Sequence, residues 1–430
     1  MLNEKQQQVY DRVIKERAPI TYLTGEAGTG KSFTVSQIIH DIPSILTAST
    51  HKAKSVLSQM TGRPSQTVHK YFGFRLTNIN YKQVLVQNGN HDLKETRLLV
   101  IDEVSMLPDR ILTAALEALG DSYDQLLFVG DPIQLPAVSN KPKLAKLAKH
   151  QINLTEQMRQ QPCDKLASYM DTYRTAIKEG NLPELGTEAP AIELIDDHKV
   201  FCRKYVTCEG NKKIIAYRNN VVEKYNANIN DGDTFNIGDA VILDKPIGQI
   251  AHNQDVVIIN DLEELDDYYS IRVVTDNGSM SWIRHYKASS KLTKLLGELQ
   301  LEGDENGYWD LFDKSFRLKH VYASTVHKSQ GESIDYVFLD ALDIVNAYET
   351  PKSKYNNPIN LDLMLRLLYV GISRMKIKCY IYTGDDDRGR WYNILQESAE
   401  QAERNLKRKK PIKNQELSQE DNIPQPKFII

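Results

Sequence analysis

The sequence predicts an α/β protein with two parallel-sheet domains, and three observations carry that prediction. Short apolar strands alternate with amphipathic helices along the first third of the 430-residue chain. A glycine-rich loop follows the first strand, and an acidic pair ends a later one. Strands covered on both faces read as short continuous apolar runs, which is typical of parallel sheets. The hydrophobic content of 41% is enough for two or three cores.

The first domain is predicted to span residues 1–150. Its helices are expected at residues 3–16, 31–40 and 52–60, and its strands at residues 20–24, 44–48, 98–101 and 125–129. The alternation breaks between residues 71 and 96. There, residues 83–87 followed by Asn88-Gly89 predict a small hairpin inserted into the domain.

The second α/β domain is predicted from residues 151–230 plus 321–397. Its strands are expected at residues 213–216, 336–339 and 379–382. Residues 231–320 between the two parts are β-rich, with strand candidates at 241–243, 255–259 and 269–274, and predict an inserted small β-barrel. Residues 398–430 are polar with a basic run at 407–410, which predicts a disordered tail.

Composition excludes several protein classes. Four scattered cysteines without a C-x-x-C pair argue against a disulfide framework or a zinc site and fit a reducing cytosol. The chain starts with a polar segment and has no apolar run near the ~20 residues of a membrane span, so a soluble cytoplasmic protein is expected. The net charge of −3 gives no overall sign of nucleic acid, but one basic face suffices for it.

The glycine-rich loop fits the pattern G-x-x-x-x-G-K-[ST], in the segment Gly25-Glu26-Ala27-Gly28-Thr29-Gly30-Lys31-Ser32. It follows a strand and opens a helix, where backbone N–H groups and the helix N-terminus hold phosphates. Lys31 is expected to neutralise the β- and γ-phosphates of ATP, and the Ser32 hydroxyl to ligate Mg²⁺. The alternative is a glycine-rich turn that binds nothing.

An acidic pair, Asp102-Glu103, ends the strand predicted at residues 98–101. A buried strand brings Asp102 to the rim of the sheet beside the phosphate loop, where it is expected to hold Mg²⁺ through water. Glu103 is placed to polarise the attacking water. The alternative for Asp102 is a helix cap. The loop and the acidic pair together predict ATP hydrolysis.

Five further segments have the order and spacing of one motor family: LNEKQ at 2–6, GDPIQLP at 130–136, LTEQMR at 154–159, TVHKSQG at 325–331 and LYVGISR at 368–374. Together with the phosphate loop they resemble the superfamily 1 DNA helicases, most closely the 5′-to-3′ branch of Dda-like and RecD-like helicases. The resemblance implies two RecA-like domains with ATP between them. It also implies that the β-rich insertion is an SH3-like barrel that clamps DNA.

The resemblance also implies roles at the nucleotide. Gln6 reads adenine, Gln134 senses the γ-phosphate, and two arginines reach the phosphates from the second domain, Arg159 and Arg374. Three further residues are implied on the nucleotide side, namely Tyr217, Gln330 and Gly331. The residues alone leave alternatives open: a helix cap by Asn3, surface ion pairs for the arginines, and plain core packing for Tyr217.

Two more segments, ASTHKAK at 48–54 and QTVHK at 66–70, resemble the family's first DNA-contacting motifs. Together with residues 325–331, these segments imply contacts to the phosphates and sugars of the DNA backbone. The residues implied are Thr50, His51, Lys52, Thr67, His69, Thr325 and His327. The alternative is two helix starts capped by their threonines. Where the family's strand-separating hairpin carries an aromatic, residues 84–86 are Val-Leu-Val. A steric wedge is therefore expected there.

The sequence therefore predicts a monomeric, ATP- and Mg²⁺-dependent motor on single-stranded and fork DNA. It is expected to move 5′ to 3′ and to unwind duplex or displace bound proteins. The tail is a candidate for recruiting replication or single-strand-binding proteins, against the alternative of a solvated tail, and the Dda likeness suggests a phage source. Two rivals remain open, a DNA-independent P-loop regulatory switch and RNA as the track.

Overall fold

The structure is a computed structural model that describes residues 2–26, 28–87, 96–117, 123–135, 147–156, 164–179, 190–230, 234–248, 250–349 and 359–384. All structural statements below concern these residues. Within these ranges, every helix is too short or too polar to cross a membrane.

The first domain is a six-stranded parallel sheet between two layers of helices. Its strands and those of a hairpin are β1 (Ile20–Gly25), β2 (Ser44–Ala48), β3 (Gln66–Thr67), β4 (Phe74–Ile79), β5 (Lys82–Gln87), β6 (Thr96–Asp102), β7 (Tyr123–Gly130) and β8 (Gln151–Leu154). Its helices are α1 (Glu4–Ile14), α2 (Lys31–Asp41), α3 (His51–Thr61), α4 (Val68–Tyr71) and α5 (Asp109–Glu117). The strand order is β3-β2-β6-β7-β1-β8.

Both faces of this sheet are buried, as the apolar runs predict. Helices α1, α2 and α3 pack on one face around Leu23 and Ile38, and α4 and α5 pack on the other around Phe72 and Phe128. Strand β8 pairs in parallel with β1, from Tyr22↔Gln151 to Gly25↔Leu154. The first sheet therefore extends beyond the boundary expected at residue 150.

The hairpin inserted into this domain consists of β4 and β5, paired from Phe74↔Gln87 to Ile79↔Lys82. Its turn is formed by Asn80 and Tyr81, whose φ angles are 47° and 58°. Two left-handed residues in a two-residue turn match the twist of the flanking strands. The prediction of a hairpin is confirmed but its position was wrong, because residues 83–87 form the second strand. Asn88 and Gly89 lie outside the described residues.

The second domain has a five-stranded parallel sheet, and an antiparallel sheet is inserted into it. The strands of both are β9 (Ile192–Ile195), β10 (Lys212–Ala216), β11 (Ala240–Ile242), β12 (Val256–Glu264), β13 (Tyr268–Val274), β14 (Met280–Tyr286), β15 (Lys319–His320), β16 (Ala323–Thr325), β17 (Ile334–Asp340) and β18 (Met375–Tyr382). The helices are α6 (Asp164–Glu179), α7 (His198–Thr207), α8 (Asn219–Ile229), α9 (Ser289–Glu302), α10 (Glu305–Lys314), α11 (Ala341–Glu349) and α12 (Leu361–Ile372).

The parallel sheet of this domain has the order β16-β10-β17-β18-β9. Helix α12 is the most deeply buried of its helices, with every residue from Leu367 to Ile372 inaccessible to solvent or nearly so. Its approach to β17 is close, because a methyl group on Gly371 would lie 2.7 Å from Leu339 Cδ1. This packing fixes the position of the Ser373-Arg374 segment that follows the helix.

The insertion is an antiparallel sheet of five strands in the order β14-β13-β12-β11-β15, with two helices between β14 and β15 in the chain. Inward-facing residues such as Val257, Ile259 and Ile271 form its core, and Phe316 joins them. The β-rich prediction is confirmed for the sheet, but α9 and α10 between β14 and β15 were missed. The signal for α9 was present, since leucines recur at 292, 295, 296 and 299, which is helical spacing.

Candidate nucleotide site and nucleic-acid groove

The phosphate loop lies between β1 and α2, and its glycines are needed for its shape. Gly28 and Gly30 have φ angles of 89° and 82°, a conformation that other residues rarely adopt. A Cβ on Gly25 would lie 2.6 Å from Thr29 Oγ1 and 2.9 Å from the Leu154 carbonyl oxygen. The loop is therefore closed tightly at the N-terminus of α2. Ala27 lies outside the described residues.

Lys31 and Ser32 form the first turn of α2, next to this loop. The Lys31 ammonium donates to the carbonyl oxygens of Gly25 at 2.7 Å and Glu26 at 2.8 Å. Thr29 is fully buried, and its hydroxyl donates to Glu26 O at 2.9 Å. The loop thus holds the lysine against its own backbone at the site expected for the phosphates.

Gln6 contacts the phosphate loop from α1. Asn3 caps this helix: its side-chain oxygen accepts from the Gln6 N–H at 2.8 Å, and Gln6 Oε1 accepts from the Asn3 N–H at 3.0 Å. Gln6 Nε2 also donates to Thr29 O at 3.3 Å, and the residue is fully buried. The cap by Asn3 is therefore present, yet Gln6 is not a solvated side chain. Its recognition of adenine stays a prediction.

Three carboxylates converge near Lys31 at the ends of β6 and β7. Asp102 ends β6, Glu103 follows it with a left-handed φ of 52°, and Asp131 follows β7. Desolvation raises the pKa of each carboxyl group, and the Lys31 charge opposes that rise. A left-handed glutamate is a strained conformation that persists only where its surroundings enforce it. The cluster is therefore both electrostatically and conformationally unusual.

Two of the other implied nucleotide residues reach this cluster. Gln134 is buried, and its Nε2 donates to Asp131 Oδ2 at 3.4 Å. Arg374 comes from the second domain and is 5% exposed; its Nε donates to Val370 O at 3.1 Å. Desolvation lowers the pKa of Arg374, while the Glu103 and Asp131 charges raise it. The two domains thus bring opposite charges together. Arg159 lies outside the described residues.

Two further arginines link the domains here, and sequence reasoning missed both. Arg174 of α6 forms an ion pair with Glu26 of the phosphate loop, and its NH2 donates to the Tyr369 hydroxyl at 2.7 Å. Arg366 of α12 donates to Pro132 O at 2.8 Å. Neither arginine belongs to a recognisable motif, so only the three-dimensional structure identifies them.

The remaining nucleotide-side predictions lie at the ends of β10 and β16. The backbone N–H of Tyr217 donates to Asp343 Oδ2 at 2.8 Å, and the Tyr217 ring centre lies 6.1 Å from that of His327. Gly331 makes a left-handed turn with φ 75°. The amide Nε2 of Gln330 is buried, and no hydrogen-bond partner for it is found in the described part of the chain. Their contacts with nucleotide stay predictions.

A groove of about 610 Å³ runs between the first domain, the second domain and the insertion. Five of the implied DNA residues line it: Thr50, His51, Lys52, Thr325 and His327. Five lysines line it as well, namely Lys52, Lys54, Lys213, Lys319 and Lys328. The His51 ring stacks on that of His252 of the insertion at 4.0 Å. The groove is thus a basic channel whose walls come from all three parts.

Thr50 and Thr67 of the two DNA motifs also cap helices, which was the alternative interpretation of these segments. Thr50 Oγ1 accepts from the Ala53 N–H at 3.1 Å, and Thr67 Oγ1 accepts from the Lys70 N–H at 3.2 Å. A hydroxyl that accepts in this way can still donate its own hydrogen to a phosphate. Thr67 and His69 lie outside the lining of the groove, so their contact with DNA stays a prediction.

The hairpin carries an aromatic residue, Tyr81, at its tip, and the sequence analysis missed it. Leu85 packs inward against the first domain, and Arg110 of α5 donates to its carbonyl oxygen at 3.1 Å. The tip residue Tyr81 packs edge-on against Tyr308 of α10, with ring centres 5.0 Å apart. The Val-Leu-Val segment therefore does not replace the tip aromatic, and the insertion touches the hairpin through Tyr308.

Comparisons with known proteins agree with this arrangement. Residues 1–199 match the AAA domain family, and residues 320–382 match the family of UvrD-like helicase C-terminal domains. The ATP-dependent DNA helicase dda of Enterobacteria phage T4 is 23% identical, over 84% of this chain and 94% of its own length. The ATP-dependent RecD2 DNA helicase of Deinococcus radiodurans is 34% identical, over 37% of this chain and 22% of its own length.

A solved structure has the same fold. That structure describes DNA unwinding at forked double-stranded DNA by two coordinating Pif1 helicases. It superposes on this chain with a TM-score of 0.54 at 18% sequence identity, and the superposition covers 94% of this chain and 98% of that chain. Four observations indicate the same family: the motif order, the two parallel sheets, the paired family matches and the end-to-end likeness to dda. The chain therefore belongs to the superfamily 1 DNA helicases of the Pif1, Dda and RecD type.

Proposed function

We propose that this protein is an ATP-dependent DNA helicase that translocates 5′ to 3′ on single-stranded DNA and unwinds duplex or displaces proteins ahead of it. One observation carries the proposal. The buried Arg374 of the second domain interacts electrostatically with Glu103 and Asp131 of the first, and Lys31 interacts with the same two carboxylates. A triphosphate bound there touches both domains, so the loss of its terminal phosphate changes how the domains attract each other.

Each charged group of the site has a role in the proposed hydrolysis. Glu103 accepts a proton from the attacking water. Lys31 and Arg374 stabilise the charge that spreads over the transferred phosphoryl group. Gln134 is hydrogen-bonded to Asp131. It senses whether the γ-phosphate is present and passes the change to the adjoining loop.

A magnesium ion fits beside the phosphates rather than in a cluster of protein ligands. The described part of the chain contains no group of three metal-ligating side chains, so the ion would be held by few protein oxygens together with the phosphates, as Mg²⁺ usually is. Burial raises the pKa of the Asp102 carboxyl group, and a cation beside it would relieve the cost of its charge. Ser32 and Asp102 would hold the ion, which neutralises phosphate charge when bound.

The basic groove supports the choice of track. Lysines, hydroxyls and imidazoles bind phosphates and sugars without reading sequence, as a motor needs. The choice of DNA rather than RNA, and the 5′-to-3′ direction, come from the likeness to dda and RecD2. We assign the insertion as an SH3-like clamp that holds the strand against the first domain through His252 and Tyr308. Protein partners recruited by the tail belong to the same proposal.

Glu103→Gln tests the chemistry. Hydrolysis should fall by about 10²–10⁴-fold because the base is lost, while a fluorescent ATP analogue still binds. Glu302→Gln, an exposed glutamate at the end of α9, is the matched control and should hydrolyse ATP as the wild type does. Substantial ATPase in Glu103→Gln rejects the role of Glu103.

Fork substrates with one overhang test the direction. The wild type should unwind a fork with a 5′ single-stranded overhang and leave a 3′ overhang closed. Its ATPase should rise on adding oligo-dT. An ATPase indifferent to DNA would instead support the P-loop switch.

A further inference from the structure

Glu332 joins the two α/β domains inside the basic groove. Its Oε1 lies 2.7 Å from the Lys52 ammonium of α3, in the first domain. Its Oε2 lies 2.7 Å from the Lys213 ammonium of β10, in the second domain. Glu332 itself follows Gly331 in the second domain, so the pair with Lys52 crosses between the domains. Neither Glu332 nor Lys213 is among the residues that the family resemblance implies at the nucleotide or at the DNA.

The three side chains differ in exposure. Glu332 is 16% exposed and Lys213 is 18% exposed, whereas Lys52 is 47% exposed. Desolvation acts against the charge of Glu332, but the two ammonium groups outweigh it and hold its pKa below the usual value. Glu332 is therefore ionised at neutral pH, with Lys213 as its sheltered partner and Lys52 as its exposed one.

A carboxylate at this position opposes phosphate binding. Glu332, Lys52 and Lys213 all line the groove that Thr50 and Thr325 line. A lysine binds a phosphate by replacing the counterions that the nucleic acid holds, and it does so with its full charge. While Lys52 is paired with Glu332, that charge is neutralised. Phosphate and Glu332 therefore compete for one ammonium group.

We propose that the Lys52–Glu332 pair is an inter-domain latch that single-stranded DNA opens, because a backbone phosphate takes Lys52 from Glu332. Lys213 keeps Glu332 within the second domain when Lys52 leaves. Entry of the strand thus removes a link between the domains at the same moment as it fills the groove. This inference rests on the proposed function, since it requires the groove to take a nucleic-acid backbone.

Binding of fluorescein-labelled oligo-dT to the full-length protein tests the latch, with affinity read by anisotropy. Glu332→Gln removes the competitor and should tighten binding about two- to fivefold, the range expected for one partly exposed ion pair. Asp276→Asn is the matched control. Asp276 lines the same groove, loses the same charge, and forms no ion pair among the described residues. It should change the affinity less than twofold.

A double-mutant cycle identifies the lysine. In a Lys52→Gln background, Glu332→Gln should tighten binding clearly less than it does with Lys52 present, because only the more sheltered Lys213 ammonium remains for it to release. Thermal unfolding checks that each variant is folded, and Glu332→Ala supplies a second variant with the same expected direction if Glu332→Gln is unstable.

The latch would be overturned by equal tightening from Asp276→Asn, by tightening of undiminished size without Lys52, or by weaker binding of Glu332→Gln. These are separate from failure of the proposed function, which would appear in the wild type as no binding of oligo-dT and no stimulation of ATPase. That failure would overturn the latch as well. If the wild type binds DNA but Glu332→Gln and Glu332→Ala leave the affinity unchanged, the latch alone is overturned.

Discussion

Gly371 lies in the last turn of α12, where a methyl group has no room. A Cβ there would lie 2.7 Å from Leu339 Cδ1 and 3.3 Å from Leu339 Cδ2. Leu339 is fully buried in β17, so its side chain cannot turn aside without displacing close-packed neighbours. Gly371→Ala should therefore push the end of α12 away from the sheet.

The expected magnitude follows from that contact. Overpacking of a core costs about 1–3 kcal/mol, and in a domain of this size each kcal/mol lowers Tm by about 2–4 °C. The displacement also reaches Arg374, whose Nε donates to Val370 O at 3.1 Å in the same turn. Small misplacements of a group that binds the transition state reduce rates by about 10–100-fold. We expect a loss in kcat of that order with ATP binding at the phosphate loop retained.

Three measurements check this: thermal unfolding, the kcat of ATP hydrolysis with oligo-dT, and binding of a fluorescent ATP analogue. Gly297→Ala is the control, because this α9 glycine has no atom within 4 Å of an added Cβ. It should keep wild-type kcat and gain about 0.5–1 kcal/mol from the better helix propensity of alanine. A wild-type Tm and kcat for Gly371→Ala would refute the reasoning.

Three further predictions concern the contacts between parts of the molecule. Arg174→Met leaves Glu26 and the Tyr369 hydroxyl without their charged donor, so the free energy of unfolding in urea should fall by about 2 kcal/mol; no change would contradict a structural role. Burial lowers the pKa of three histidines below 6.5, namely His51, His69 and His327. Phosphate favours their protonated form, so oligo-dT affinity should be flat from pH 8 to 7 and rise only as the pH falls below the ordinary histidine pKa of 6.5, and a flat profile to pH 5 would exclude them. Tyr81→Ala should reduce fork unwinding while sparing DNA-stimulated ATPase, whereas Tyr81→Phe, which keeps the ring against Tyr308, should unwind normally.

The parallel sheets could be predicted because their strands are short, apolar and buried on both faces. Strand β2 matches its predicted range, and β1 and β13 differ from theirs by one residue. The hairpin was predicted at the wrong position because its turn contains no glycine. Asn80 and Tyr81 adopt left-handed conformations without one, while the Asn88-Gly89 pair carried the stronger local signal.

The site was predictable where a motif fixes local geometry and unpredictable where two domains meet. The phosphate loop and the Asp102-Glu103 pair each lie within one stretch of chain, so their spacing reveals them. The contacts of Arg174 with Glu26, and of Lys52 with Glu332, join residues far apart in the sequence. Long-range ion pairs of this kind have no spacing rule, and an isolated arginine or lysine in a sequence is usually a surface charge.

The insertion leaves the second domain and returns to it at neighbouring points. Strands β11 and β15 pair through Val241↔His320 and Ile242↔Lys319, so the exit and the re-entry of the chain lie side by side. All five strands of the parent sheet lie outside the inserted segment. A short glycine-serine bridge in place of that segment should therefore leave the parent sheet's pairing intact.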